Sequence, residues 1–217
     1  MQKAHRIDVC KRSYSTEMRA QADDDKHVIT GYASVFDKKA NIDGMFYEKI
    51  ARGAFAGCDF KDVILSINHN TSKIPLARSR NNNKNSTMQL SVDSKGLLIN
   101  AELDVENNAE ARSLYSAVGR KDMGGMSFIF RIEKETWDDI DSKMPTRTIE
   151  KISAVYEVTA ATFPYYPDTT LDARAKELLE SNKAALESAR ANAREALGSA
   201  RASKEKKLLQ IRAKYGI

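Results

Sequence analysis

The stretch MGGMSFIFRI, Met123 to Ile132, sets two glycines and a serine at the head of an apolar run of strand-forming residues. Met126, Phe128, Ile129, Phe130 and Ile132 predict a buried strand, continuing as MSFIFRIEKETW to Trp137. Runs of the same kind flank it: His27–Phe36, Val63–Asn68, Thr87–Asp93, Gly96–Val105 and Arg147–Phe163. DSKG (Asp93–Gly96) predicts a hairpin turn, and DDIDSKMPT (Asp138–Thr146) a longer hairpin loop. That loop is acidic but lacks EF-hand spacing, so it reads as a solvated loop. One helix interrupts the strands, NNAEARSLYSAVGRKD, with an Asn cap, Ala111, Leu114, Tyr115 and Val118 on one face, and Gly119 as its stop. Many strands with few helices predict a mainly β (α+β) fold, a barrel or sandwich with flanking helices, rather than an alternating βαβ sheet. Neither a GxGxxG nor a Walker loop is present.

Of the 217 residues 41% are hydrophobic and 30% charged, which suits a globular protein with a highly charged portion. No apolar run approaches the roughly 20 residues of a membrane helix, and the N-terminus has no apolar signal core. Two cysteines, Cys10 and Cys58, form no CxxC, which argues against structural zinc and a disulfide scaffold. The net charge of +5 is unevenly placed: residues 173–217 hold eleven Lys and Arg against five Glu, a net +6, leaving −1 for the first 172. The basic character belongs to the tail, which weakens a nucleic-acid role for the rest.

That tail, 173–217, differs in kind from the strand-rich part, 1–172. It has no proline and is built of Ala, Glu, Lys, Arg and Leu. Ala175, Leu186, Leu197 and Leu208 recur every eleven residues, as do Leu178, Ala189, Ala200 and Ile211. Three helical turns take about 11 residues, so both rows share one narrow face of a long basic amphipathic helix.

Three histidines are available, His5, His27 and His69. His5 lies in a polar segment and His27 opens a strand; His69 closes the apolar run VILSIN, at the rim of a sheet. A serine becomes a nucleophile when a base takes its proton, and histidine, with a pKa near 6.5, is the usual base. The base needs an acceptor that fixes its tautomer. Glu157 interrupts the apolar AVYEVTAATFP; taken alone, a carboxylate there reads as solvent-facing. Ser127, His69 and Glu157 are thus polar residues in, or at the end of, three separate apolar strands.

The order of segments resembles the prohead proteases of tailed bacteriophages, of the HK97-like type, which are similar to herpesvirus assemblins. The matching stretches are ITGYASVFD, YEKIARGAF, ILSINHN with the later PLARS, GLLINAELD, ARSLYSAVGRKDMGGMSFIF and YEVTAATFPYYPDTTLDAR, together spanning Ile29 to Arg174. The resemblance implies an assemblin-like β-barrel followed by the long helix, and a cofactor-free serine endopeptidase. It places the nucleophile on Ser127, the base on His69 and the third member on Glu157, with Gly124 and Gly125 letting substrate backbone approach. It also implies, as substrates, the capsid protein precursor, scaffold segments and, by autoproteolysis, the enzyme itself. The place of action is inside the procapsid in the host cytoplasm, without membrane or nucleic acid, and a homo-oligomer is compatible with it. Two departures stand out: Arg52 where proline is expected, and the polar loop Asn81–Ser86. The rival readings are a cysteine protease using Cys58 with His69, a non-enzymatic capsid scaffold or assembly protein, and a DNA-binding tail.

Overall fold

The structure, a computed structural model, describes residues 9–15, 18–23, 26–162 and 173–215. His5, and the FPYYPDTT segment leading to the domain boundary at 172, lie outside them. Among the described residues eleven strands precede and follow one short helix, and a long helix comes last. In order they are β1 (Val9–Ser15), β2 (Met18–Asp23), β3 (Lys26–Val35), β4 (Ala40–Ile42), β5 (Phe46–Ile50), β6 (Asp62–Ile67), β7 (Ala77–Arg80), β8 (Met88–Val92), β9 (Gly96–Leu103), α1 (Ala109–Gly119), β10 (Gly125–Asp138), β11 (Thr146–Ala161) and α2 (Ala173–Tyr215).

The strands pair into two sheets. In the larger, β1, β10, β11, β5 and β4 follow in order, and β6 joins β11 and carries β7. The smaller runs β2, β3, β9, β8. Among the described residues neither sheet closes on itself, and the class they define is mainly β with two helices. β11 is the hub, antiparallel to β10 on one side and parallel to β5 and β6 on the other. Its sixteen residues are apolar enough to be covered on both faces along their second half.

The core lies where strand alternation sends the aromatic residues. Phe128 and Phe130 stack with ring centroids 4.3 Å apart, and Phe55 packs against Phe128 at 6.3 Å. Both residues of that stack are fully buried, so truncating either to alanine costs about 3–5 kcal/mol. The DSKG turn joins β8 to β9 as expected. A Cβ on Gly96 would lie 2.0 Å from the Ser34 carbonyl oxygen, so glycine is required for that close approach. α1 starts where its Asn108 cap accepts hydrogen bonds from the Glu110 and Ala111 amides, and it buries Ala111, Leu114 and Val118.

α2 reaches back onto the strands through its first half. Asn182 and Leu186 are buried there, and Arg190 donates to the carbonyls of Ile140 and Ser142 in the β10–β11 loop. From Arg194 to Gln210 every residue is exposed. The apolar row is therefore covered at Leu186 and open to solvent at Leu197 and Leu208.

Candidate active site

Ser127 is the third residue of β10. Alternation puts Met126, Phe128 and Phe130 on one face and Ser127 on the other. In register, Ser127 lies beside Thr159 of β11, which lies beside Ser66 of β6. Directly paired residues share a face, so three adjacent strands present a row of hydroxyl groups. Glu157, two residues before Thr159, joins the same face.

His69 arrives from the end of β6 by a sharp turn. Asn68 and His69 both adopt left-handed backbone, with φ of 50° and 57°, a conformation that costs of order 1–3 kcal/mol per residue. Local bonds hold it: the Asn68 amide donates to the Ala160 carbonyl at 2.9 Å, and the Asn68 side chain accepts from the Thr162 amide at 3.0 Å. The His69 amide donates to the Thr159 hydroxyl oxygen at 3.1 Å. This turn folds the imidazole back over the hydroxyl row.

There His69 Nδ1 lies 2.8 Å from Glu157 Oε2, and Nε2 lies 2.6 Å from Ser127 Oγ. With Nδ1–H donated to the carboxylate, Nε2 presents its lone pair to the serine. The other Glu157 oxygen accepts a short hydrogen bond from the Ser66 hydroxyl, whose oxygen lies 2.7 Å from Thr159 Oγ1. Ser127 is 0% exposed, Glu157 2% and His69 8%. Burial lowers the pKa of His69 below its usual value, and the positive charge of Lys11 adds to this; the hydrogen bond and charge of Glu157 oppose it without reversing it. At neutral pH the imidazole is therefore an unprotonated acceptor.

The Ser127 hydroxyl has a second acceptor, the backbone carbonyl of Arg12 in β1, at 2.8 Å. It has one proton for two acceptors. With neutral His69 the hydroxyl keeps its proton and can donate it to the Nε2 lone pair. Once the imidazole is protonated, Ser127 accepts from Nε2–H and its own proton turns to Arg12.

The three residues singled out from sequence are thus brought together, and Glu157 is buried rather than solvent-facing. Cys58 is not part of the group. Its thiol contacts the adjacent Asp59 carbonyl, and burial, reinforced by the charge of Asp59, pushes its pKa up to about 12, which leaves it an inert thiol at neutral pH. Arg52 sits away from the group, paired with Asp37. A Cβ on Gly124 would meet nothing within 4 Å, so the space beside it is open. Sequence reading missed Arg12, Ser66 and Thr159. The period-two spacing of Glu157 and Thr159 in an apolar strand was a usable signal for the last of these. Among the described residues no group of His, Cys, Asp and Glu is placed to hold a metal ion, and no helix is long and apolar enough to cross a membrane.

A serine hydroxyl on an imidazole that is itself held by a carboxylate is the constellation of the serine hydrolases. The chain belongs to the caudovirus prohead serine protease family, whose model matches residues 14–184, and it is a serine protease of capsid maturation. No curated protein and no solved structure matches it.

Proposed function

We propose that this chain is an endopeptidase that cuts capsid-precursor and scaffold segments inside the procapsid, with Ser127 as nucleophile, His69 as general base and Glu157 as the acceptor that orients the imidazole. The observation that carries this reading is the unbroken path from Glu157 through His69 to Ser127, at 2.8 and 2.6 Å. As Oγ attacks a scissile carbonyl carbon, its proton passes to Nε2, and the carboxylate stabilises the imidazolium across Nδ1. The same proton then goes to the leaving amine, and water repeats the sequence on the acyl-enzyme. Ser66 keeps the second carboxylate oxygen occupied, so Glu157 has one orientation to offer. The assemblin-like barrel and self-cleavage belong to this proposal through the family resemblance.

Co-expression with the cognate capsid protein tests the reading. Wild-type chain shortens the precursor; Ser127→Ala leaves it at full length while melting cooperatively. Full cleavage by the alanine variant would reject the assignment, and a scaffold without enzymatic activity would leave the precursor intact in both.

A further inference from the structure

The nucleophile of this site is covered. Ser127 has no exposed surface, and part of what lies against its hydroxyl is the chain's own β1, through the Arg12 carbonyl. Among the described residues β1 is the end strand of its sheet and pairs there with β10, antiparallel, with Ser13 in register with Ser127. Its first five residues precede the part of the chain that the protease family model matches. An edge strand beside a catalytic strand lies where an extended peptide would add by main-chain hydrogen bonding.

The Arg12 side chain is held in a buried acidic setting. Its guanidinium donates to both oxygens of Glu48, at 2.5 and 3.0 Å, and to Asn182 of α2 at 3.2 Å. Glu48 also pairs with Arg147 at 3.3 Å, and Arg147 binds Glu135. Among the described residues Arg12 and Arg147 thus balance Glu48 and Glu135. Without Arg12, one guanidinium would face two carboxylates, one of them, Glu48, completely buried. A buried uncompensated charge is strongly unfavourable, so a strand that replaces β1 has to bring a cation to the same position.

We propose that β1 is a built-in stand-in for the substrate: it occupies the edge of β10 that an extended peptide takes, and the peptide that displaces it carries a basic residue where Arg12 now lies. The proposal rests on Ser127 being the protease nucleophile. Glu48 is then the residue that selects the basic side chain, and Asn182 lets α2 hold the stand-in closed. The free enzyme is latent, with peptide and β1 in competition for one edge.

The test uses the full chain and the labelling of Ser127 by a fluorophosphonate, which needs access to Oγ. Lys11 and Ile129 are directly paired, so Lys11→Cys with Ile129→Cys ties β1 to β10 when oxidised; mass spectrometry verifies the bond. The oxidised protein should label at least tenfold more slowly than the same protein reduced. Arg12→Ala should label at least tenfold faster than wild type. The peptide VCKRSYS should slow the labelling of that variant, and VCKASYS should not. Equal rates in the oxidised and reduced forms would overturn the proposal even if Arg12→Ala failed to fold, and equal slowing by the two peptides would overturn the requirement for a cation. Absence of labelling at Ser127 in every form, reduced included, would instead reject the nucleophile itself, and with it this inference.

Discussion

At the scale of single residues, the site depends on where protons sit. His69 serves as base when neutral, and burial lowers its pKa. The acid limb of kcat/KM against pH should therefore have its midpoint below 6.5, with activity lost as pH falls through it; a midpoint above 6.5 would mean that Glu157 outweighs burial. The same shift makes His69 a source of acid instability, because the folded state resists its protonation while the unfolded state accepts it below about 6.5. Glu157→Gln keeps the shape but removes the charge and favours the wrong tautomer. Its cleavage rate should drop by roughly 10²–10⁴-fold with a melting temperature near wild type, and a wild-type rate would show that another acceptor orients the imidazole. Thr159→Val strips the His69 amide of its buried acceptor, at about 1–3 kcal/mol. Urea unfolding would read that as a lower midpoint with an unchanged slope.

At the scale of elements, legibility followed burial chemistry. β3, β6, β8, β9, β10 and β11 were readable because their apolar runs meet the core, and α1 because its cap and its apolar period agree. β1, β2 and β7 were not: KRSYS, MRAQAD and ARSR look like loop, and β4 and β5 are too short to show a period. Arg12 is buried because Glu48, distant in sequence, neutralises it, and no local pattern announces that. The candidate site was legible as residue types in strand order, yet the turn at Asn68–His69 that aims the imidazole was not, since Asn and His are enriched in left-handed backbone but adopt it in only a minority of cases. Among the described residues the pairing leaves β6 and β7 branching from β11, and a closed barrel stays part of the proposal rather than an observed feature.

α2 differs most from the strands in composition, yet its first half packs against them. The change of character after residue 172 suggests a separate tail, but Asn182 bridges Arg12 and Asp43, and Arg190 holds the β10–β11 loop. We propose that the functional division falls within α2, near residue 194, rather than at its start. A chain ending at Ala193 should retain fluorophosphonate labelling at Ser127, whereas one ending at Asp172 should label differently or melt lower, since it loses the Asn182 bridge. Equal behaviour of both would return the whole helix to the role of an appendage.

At the scale of the whole molecule, the charges divide unevenly: a nearly neutral strand-rich body and a basic arm. We propose that the distal arm, exposed from Arg194 to Gln210, meets an acidic assembly partner by charge. Deleting it should lower the copy number of the protease in isolated procapsids without slowing chemistry at Ser127; unchanged copy number would reject the arm as a tether.

From Arg194 to Gln210 that arm is also helical with every residue exposed. At 1.5 Å per residue the stretch from Arg194 to Tyr215 extends about 33 Å, and a helix of such length alone in water is marginal, with Gly198 near its root costing about a further 1 kcal/mol. Its amide protons should therefore exchange with deuterium far faster than those around Leu186, in a gradient that steepens past Arg190. If the arm does tether the enzyme, it would meet its partner as a fraying helix completed on contact, which would trade affinity for rapid release.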